Sequence, residues 1–207
     1  GTRALAAALR VLGASRSPLQ GFADHDVSEA IYLADPEGNG IELYRDRPPS
    51  EWQIRGGQIH MTTEQLDVES LLAEPQPGEY QGMPAGTRLG HLHLRVNDIP
   101  AAEDFYTCCL GFALTTRYGS AAGFVSAGGY HHHIGFNTWS SAGAPPPPAD
   151  AAGMRYFSLR LPDSSALQAL LDHLGQEEVP VTPENGGYRI SDPAGNRIVL
   201  ESTSPPE

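Results

Sequence analysis

His25, Tyr32 and Glu42 are the residues near the start of the sequence whose side chains could do chemistry together. Residues 28–34 are predicted to form a strand. Residues 35–40 (Asp-Pro-Glu-Gly-Asn-Gly) are predicted to form a tight turn, because proline fixes φ and glycine permits positive φ. The chain then returns in a second strand that carries Glu42, which brings the three side chains onto one sheet. A carboxylate, an imidazole and a phenol could there supply one metal ligand and two proton-transfer groups; the alternative is a hairpin with ordinary surface polar residues.

Five further histidines lie in the middle of the chain. His91 and His93 alternate along a predicted strand and therefore face the same side of its sheet. The other three follow one another on the last predicted strand of the same repeat, where His131 and His133 share one face and His132 takes the opposite one. We expect His133 to face the pocket and His131 to lie near its rim. A solvated metal-binding tract is the alternative, which the apolar strand residues that follow disfavour.

An internal repeat predicts the elements that position these residues. Residues 190–200 (ISDPAGNRIVL) echo residues 33–43 (LADPEGNGIEL), and a second echo links residues 92–98 to residues 157–163. Each copy is predicted to contain a strand, a helix and three more strands, about fifty residues in all. Two copies are complete, at about 88–139 and about 153–202, whereas the first copy begins directly in its helix.

Residues 25–42 resemble the signature of the extradiol ring-cleaving dioxygenases. The signature has a histidine, an apolar residue, tyrosine, an acidic residue, proline, glycine and glutamate, matched here by His25, Ile31, Tyr32, Asp35, Pro36, Gly38 and Glu42. Ala23 departs from it, because glycine or a few other residues are preferred two positions before the histidine. The βαβββ repeat is similar to that of the vicinal oxygen chelate superfamily, and the whole chain resembles its catechol-2,3-dioxygenase-like members. The resemblance implies an α+β fold of repeated βαβββ units in cupped mixed sheets with helices outside.

The resemblance also implies roles for individual residues. Glu42 and His91, which directly follows a Leu-Gly pair, would be ligands of Fe(II), with Mn(II) or another divalent metal as the alternative. His25 and Tyr32 would lie beside a bound aromatic diol, which is cleaved with O2. We expect His133 to act as the base, His25 as the acid, and Tyr32 to donate a hydrogen bond to a bound oxygen.

The last repeat departs from this pattern. Tyr156 stands where His91 stands in the preceding repeat, and Val199 stands where Glu42 stands in the first; Glu201 follows two residues later. The two complete repeats therefore do not by themselves supply the full set of two histidines and one glutamate. We expect Glu42 and His91 to share the metal, and a second histidine to lie on a strand before the first helix. The sequence would then be the last half to two-thirds of such a protein, and its activity would depend on that strand.

Composition excludes several classes of partner. A formal net charge of -12 argues against binding to nucleic acid or to an anionic membrane surface, and no apolar run approaches the length of a membrane span. The adjacent Cys108 and Cys109 point to different helix faces, which argues against a framework disulfide and favours a reducing cytoplasm. The incomplete first repeat would leave a strand edge exposed, so we expect it to pair with another unit or a second chain in a homo-oligomer.

The sequence predicts three segments. Residues 1–46 would end a first domain as an incomplete βαβββ unit, residues 47–87 would be a linker with a short helix at 62–72, and residues 88–207 would form a second domain. Two other functions share this fold: a glyoxalase-type metal-dependent isomerase with Zn or Ni, and a non-catalytic small-molecule binding protein. The richness in histidine and the valine at position 199 argue against the isomerase.

Overall fold

The computed structural model describes residues 1–76, 78–148, 150–184 and 186–203. The chain divides into two compact units, Gly1–Leu89 and Gly90–Glu207. Across the described ranges, every helix is too short or too polar to cross a membrane.

The first unit contains the helix and three strands of an incomplete repeat, followed by a short hairpin and a second helix. Helix α1 is rich in alanine and leucine, which have high helix propensity, and it buries Leu5, Ala6 and Leu9 against Ile31 of the sheet. The sheet is antiparallel in the order β1-β2-β3. The elements are α1 (Thr2–Ala14), β1 (Leu19–Asp24), β2 (Ser28–Ala34), β3 (Gly40–Asp46), a 3-10 turn (Pro49–Glu51), β4 (Ile54–Arg55), β5 (Gln58–Ile59) and α2 (Val68–Ala73).

The segment predicted as a linker packs into the core of the first unit. Leu66 and Leu71 are buried in the same apolar cluster as α1. Helix α2 begins later than the predicted 62–72, because Asp67 caps it by accepting a hydrogen bond from the Ser70 N–H. The guanidinium of Arg10 donates to the Leu72 carbonyl oxygen at 2.7 Å, which ties the end of α2 to α1. The division into domains at residues 1–46 and 88–207 stays a prediction.

The second unit contains both complete repeats. Its two four-stranded sheets, counted over the described residues, have the orders β6-β9-β8-β7 and β10-β13-β12-β11, and in each the first strand pairs parallel with the last. These orders confirm the predicted repeat of one strand, one helix and three strands. The elements are β6 (Leu92–Arg95), α3 (Ile99–Asp104) continued by a π-helical turn (Phe105–Cys109), β7 (Ala113–Tyr118), β8 (Ala122–Ser126), β9 (Ile134–Asn137), β10 (Phe157–Leu161), α4 (Ser164–Gln176), β11 (Thr182–Glu184), β12 (Gly187–Ser191) and β13 (Arg197–Ser202).

The two Asp-Pro turns are built by the same hydrogen bonds. Asp35 Oδ1 accepts from the backbone N–H groups two and four residues later at 2.9 and 2.8 Å, and Asp192 Oδ1 does so at 3.0 and 2.8 Å. The side chains of Asn39 and Asn196 each donate to the other carboxylate oxygen at 2.8 Å. In both turns the glycine three residues after the aspartate has positive φ, 87° and 90°. The internal repeat predicted from the sequence is therefore confirmed in atomic detail.

Tyr106 connects the two repeats of the second unit. Its ring is fully buried and stacks on Phe136 with centroids 5.6 Å apart, and its hydroxyl donates to Asp192 Oδ2 at 3.0 Å. Burial and the Asp192 carboxylate raise the pKa of Tyr106, so the phenol stays protonated and remains a donor. A tyrosine in one repeat thus supports the buried carboxylate that organises the turn of the other.

Replacing Tyr106 with phenylalanine is expected to lower the free energy of unfolding by about 1.5–3 kcal/mol, because the buried Asp192 carboxylate loses one of its donors. Urea unfolding of the two proteins measures the difference. Tyr118→Phe is the matched control, since Tyr118 is 57% exposed and should tolerate the change. Equal stability of Tyr106→Phe and the parent would show that this hydrogen bond contributes nothing.

Candidate metal centre and proton-transfer residues

His25, Tyr32 and Glu42 form one hydrogen-bonded chain within the first unit. Tyr32 and Glu42 lie directly opposite each other on the antiparallel strands β2 and β3, and the Tyr32 hydroxyl donates to the Glu42 carboxylate. The Nε2 atom of His25, the residue that follows β1, lies 2.6 Å from the Tyr32 hydroxyl oxygen. The predicted juxtaposition of the three side chains is confirmed, while their chemical roles stay predictions.

The hydrogen bonds of the His25 ring restrict where its protons lie. Its Nδ1 atom is 2.6 Å from the Thr62 carbonyl oxygen, and a carbonyl only accepts, so Nδ1 carries the proton of this bond. Burial, followed by the charge and hydrogen bond of Glu42, raises the pKa of Tyr32. The phenol therefore stays protonated at neutral pH and lies between an imidazole nitrogen and a carboxylate. The three side chains therefore form a continuous hydrogen-bonded chain from His25 through Tyr32 to Glu42.

An ion pair and a backbone bridge hold the backbone beside His25. The guanidinium of Arg47 contacts both carboxylate oxygens of Asp24, at 2.5 and 2.6 Å, and this contact lowers the pKa of Asp24 below its usual value. The backbones of Asp24 and Glu64 exchange two hydrogen bonds of 3.0 and 2.9 Å. The predicted linker thereby delivers the Thr62 carbonyl, which sequence reasoning missed because a backbone oxygen leaves no residue signal.

His91, His93 and His132 form a cluster in the second unit. One ring nitrogen from each lies within 4.8 Å of the others, a grouping that could hold a metal ion. The His91 and His132 ring centroids are 4.2 Å apart, and those of His91 and His93 are 5.2 Å apart. Gly135 makes room for this arrangement, because a Cβ there would lie 2.8 Å from the His93 ring.

The structure corrects the predicted orientation of the histidine run. Residues 131–133 precede β9 rather than belonging to it, so the alternation of a strand does not apply to them. His131 was expected near the rim of a pocket, but it is fully buried. His132, which was expected on the opposite face from the pocket, is the member that joins His91 and His93.

His133 has a different environment from its two neighbours. Its Nδ1 atom accepts a hydrogen bond from the Ala127 N–H at 3.2 Å. Burial, and then the proximity of His131 and His91, lowers the pKa of His133. The ring is therefore neutral at neutral pH, with its lone pair on Nδ1 and its proton on Nε2. Its role as a catalytic base stays a prediction.

The three-histidine cluster fits a divalent transition metal. Imidazole nitrogens suit zinc, copper, iron and nickel. Ligand nitrogens around one tetrahedral zinc ion lie at about 2.0–2.1 Å from it and therefore about 3.4 Å from one another. Binding would draw the three nitrogens, which lie within 4.8 Å of one another, together by up to about 1.4 Å through rotation of the imidazole rings. Glu42 belongs to the first unit and His91 to the second, and a metal shared between them stays a prediction.

In the last repeat, the residues at the positions expected to hold metal ligands have other contacts or are exposed. Val199 is buried in the core. Glu201 forms a salt bridge with Arg160 at 2.9 Å, and Tyr156 is exposed. These positions therefore do not bring a histidine and a glutamate to a common site in this repeat.

Comparison with known proteins agrees with this architecture. A profile described as the Glyoxalase/Bleomycin resistance protein/Dioxygenase superfamily matches residues 88–200. The chain belongs to this superfamily, as the resemblance of its repeats and signature predicts. The catechol-2,3-dioxygenase of Bacillus subtilis (strain 168) is 43% identical over 181 residues, which cover 86% of this chain and 64% of that protein. The chain thus spans less than two-thirds of the length of this relative.

Solved structures of the same kind cover the larger part of the chain. A lactoylglutathione lyase from Agrobacterium tumefaciens is 22% identical and covers 58% of this chain and 96% of its own, with a TM-score of 0.45. A glyoxalase/dioxygenase from Nostoc punctiforme is 14% identical and covers 62% of this chain and 100% of its own, with a TM-score of 0.46. The predicted α+β fold class, with mixed sheets and helices, is confirmed by the strand orders described above.

Proposed function

We propose that the protein is an extradiol ring-cleaving dioxygenase that opens a catechol-type aromatic diol with O2 and uses Fe(II). The observation that carries the proposal is the hydrogen-bonded chain of His25, Tyr32 and Glu42, whose order and spacing are those of the extradiol signature. The 43% identity to a catechol-2,3-dioxygenase supports the same activity.

The residues proposed to hold the metal have suitable chemistry. An ionised carboxylate has lone pairs for both a cation and the Tyr32 hydroxyl, so Glu42 can serve as a ligand without losing its hydrogen bond. His91 is the histidine ligand that the resemblance predicts. A set of histidine and carboxylate ligands with open positions is typical of Fe(II) oxygenases, and Mn(II) is the alternative. When bound, the metal would bring the diol and O2 together and carry charge between them.

The protein's own groups are proposed to handle the protons. His133 would accept a proton from a diol hydroxyl on Nδ1, which would exchange the Ala127 N–H for the substrate, and its lowered pKa keeps the ring neutral. His25 would donate a proton to a substrate oxygen, because the Thr62 carbonyl holds its ring with Nε2 towards Tyr32. Tyr32 would turn its single hydroxyl proton from Glu42 to a substrate oxygen, since its raised pKa keeps that proton on the phenol.

Oxygen consumption with catechol tests the proposed function. The purified chain is loaded with Fe(II) without air and then mixed with catechol and 18O2. We expect one O2 to be consumed for each diol, with both labelled atoms in a product that has one carboxyl and one aldehyde group. A product with two carboxyl groups, or no oxygen uptake by the iron-loaded protein, would contradict the proposal. Conversion of a hemithioacetal without oxygen would favour the glyoxalase-type alternative instead.

A further inference from the structure

We propose that His91, His93 and His132 form a divalent transition-metal site that is complete within the second unit and takes no ligand from the first. The proposal does not depend on ring cleavage, because it concerns binding by three imidazoles that lie within 4.8 Å of one another. His91 is common to this site and to the proposed iron site, so a metal held by the three histidines would compete with the iron that Glu42 binds for this one ligand.

The parallel pair β6 and β9 places the three histidines. His93 on β6 lies opposite Gly135 on β9, where the missing side chain leaves room for the imidazole. His91 and His132 each precede one of these two strands, and the Leu92 N–H donates to the His133 carbonyl oxygen at 2.9 Å. That bond extends the strand pairing to the level of His91 and His133, and His132 directly precedes His133 in the chain. The cluster is thus built on a buried strand rather than on a mobile surface tract.

His131 positions the buried ligand His132. The Nδ1 atoms of the two rings are 2.8 Å apart, so one of them donates and the other accepts. If His132 donates, its lone pair is on Nε2, and Nε2 is the atom that can bind a metal. Metal ligands of this kind ordinarily donate their other N–H to a fixed acceptor, which sets the tautomer and the ring orientation. The Thr115 hydroxyl fixes the backbone of His131, because it donates to the His131 carbonyl oxygen at 2.7 Å.

The cluster has an aromatic neighbour and a buried histidine on one side and an exposed histidine on the other. The Phe124 ring lies edge-on to His132 and His93, with centroids 5.0 and 5.8 Å away. His132 is buried, whereas His93 is exposed. Three protein ligands leave a fourth tetrahedral position for water, and the solvent-facing side of the site is next to His93.

Cobalt binding to the untagged, metal-free chain tests the site, because Co(II) reports its ligands through its visible spectrum and its paramagnetic NMR shifts. We expect one equivalent of Co(II) to bind and to shift three exchangeable imidazole N–H signals, and Zn(II) to displace it. Glu42→Gln should retain this equivalent. His93→Ala should weaken its binding by at least about 100-fold, since one of three ligands is lost.

His131→Phe separates positioning from ligation. It should weaken Co(II) binding by about 10–100-fold and alter the cobalt spectrum while all three ligands remain. His173→Ala is the matched control for both histidine variants, because His173 lies on α4 and its Nε2 atom contacts the Cys108 carbonyl oxygen instead. Cobalt binding that is unchanged in His93→Ala, or that is lost in Glu42→Gln, would overturn the proposal. Fewer than three shifted imidazole N–H signals in the parent chain would overturn it without any variant.

Discussion

Replacing Glu42 with glutamine is expected to abolish ring cleavage and to remove the iron that supports it. Glutamine keeps the shape of the side chain, and its carbonyl oxygen can still accept the Tyr32 hydrogen bond. It removes the negative charge that a divalent cation requires from this ligand. Affinity for that iron should fall by at least about 100-fold, more than the loss of an outer-shell partner costs. Iron content and oxygen uptake with catechol, measured on the same samples, check the prediction.

Glu37→Gln provides the control for this experiment. Glu37 lies in the exposed turn between β2 and β3, only five residues away, so the variant changes the net charge of the hairpin equally. Iron content and oxygen uptake should match the parent. If Glu42→Gln loses activity but keeps all of its iron, Glu42 is a proton-transfer residue and its assignment as a ligand is wrong. The cobalt bound by the three histidines should persist in both variants.

Local chemistry explains which parts of the fold could be predicted from the sequence. The hairpin around residues 35–40 and its echo at Asp192 depend on proline, glycine and asparagine at fixed offsets, and these residues act through their own backbone and neighbours. The juxtaposition of Tyr32 and Glu42 follows, because a turn of known length fixes the register of the strands that it joins. A βαβββ repeat read from such signals therefore agrees with the observed strand orders.

Tertiary contacts explain what could not be predicted. The orientation of His131 and His132 was assigned by strand alternation, but Gly128 and Gly129 both have positive φ, 70° and 76°. These two residues turn the chain before β9 begins at Ile134. The space for His93 depends on its pairing with Gly135, and this register is set across two strands about forty residues apart. A periodic pattern contains no information about either feature.

The same limit applies to the first unit. Leu66 and Leu71 lie before and within a helix of only six residues, Val68–Ala73, which is too short for an apolar period to mark its core face. The Thr62 carbonyl that holds the His25 ring is a backbone group present in every residue. His25 can be proposed as a proton-transfer residue from the sequence, whereas the carbonyl oxygen that accepts from its Nδ1–H can be identified only in the structure.

Replacing His25 with asparagine is expected to slow turnover by about 10²–10⁴-fold while iron stays bound, because a general acid–base group acts on the barrier of the reaction rather than on metal affinity. The asparagine amide can still donate to the Thr62 carbonyl in place of the Nδ1–H, so the backbone beside it should keep its position. It cannot transfer a proton to or from the Tyr32 hydroxyl. Steady-state oxygen uptake gives kcat, and metal analysis gives the bound iron.

His60→Asn is the matched control. His60 lies two residues before Thr62, but its Nδ1 atom pairs with Asp26 at 3.0 Å. This variant should keep a kcat close to that of the parent. An unchanged kcat in His25→Asn would remove His25 from the proton-transfer path, whereas loss of iron in that variant would make the residue part of the metal site. If kcat falls and iron stays in His25→Asn, whereas iron is lost in Glu42→Gln, then His25 acts in proton transfer and Glu42 in metal binding. The two roles then lie at different positions of the hydrogen-bonded chain from Thr62 to Glu42.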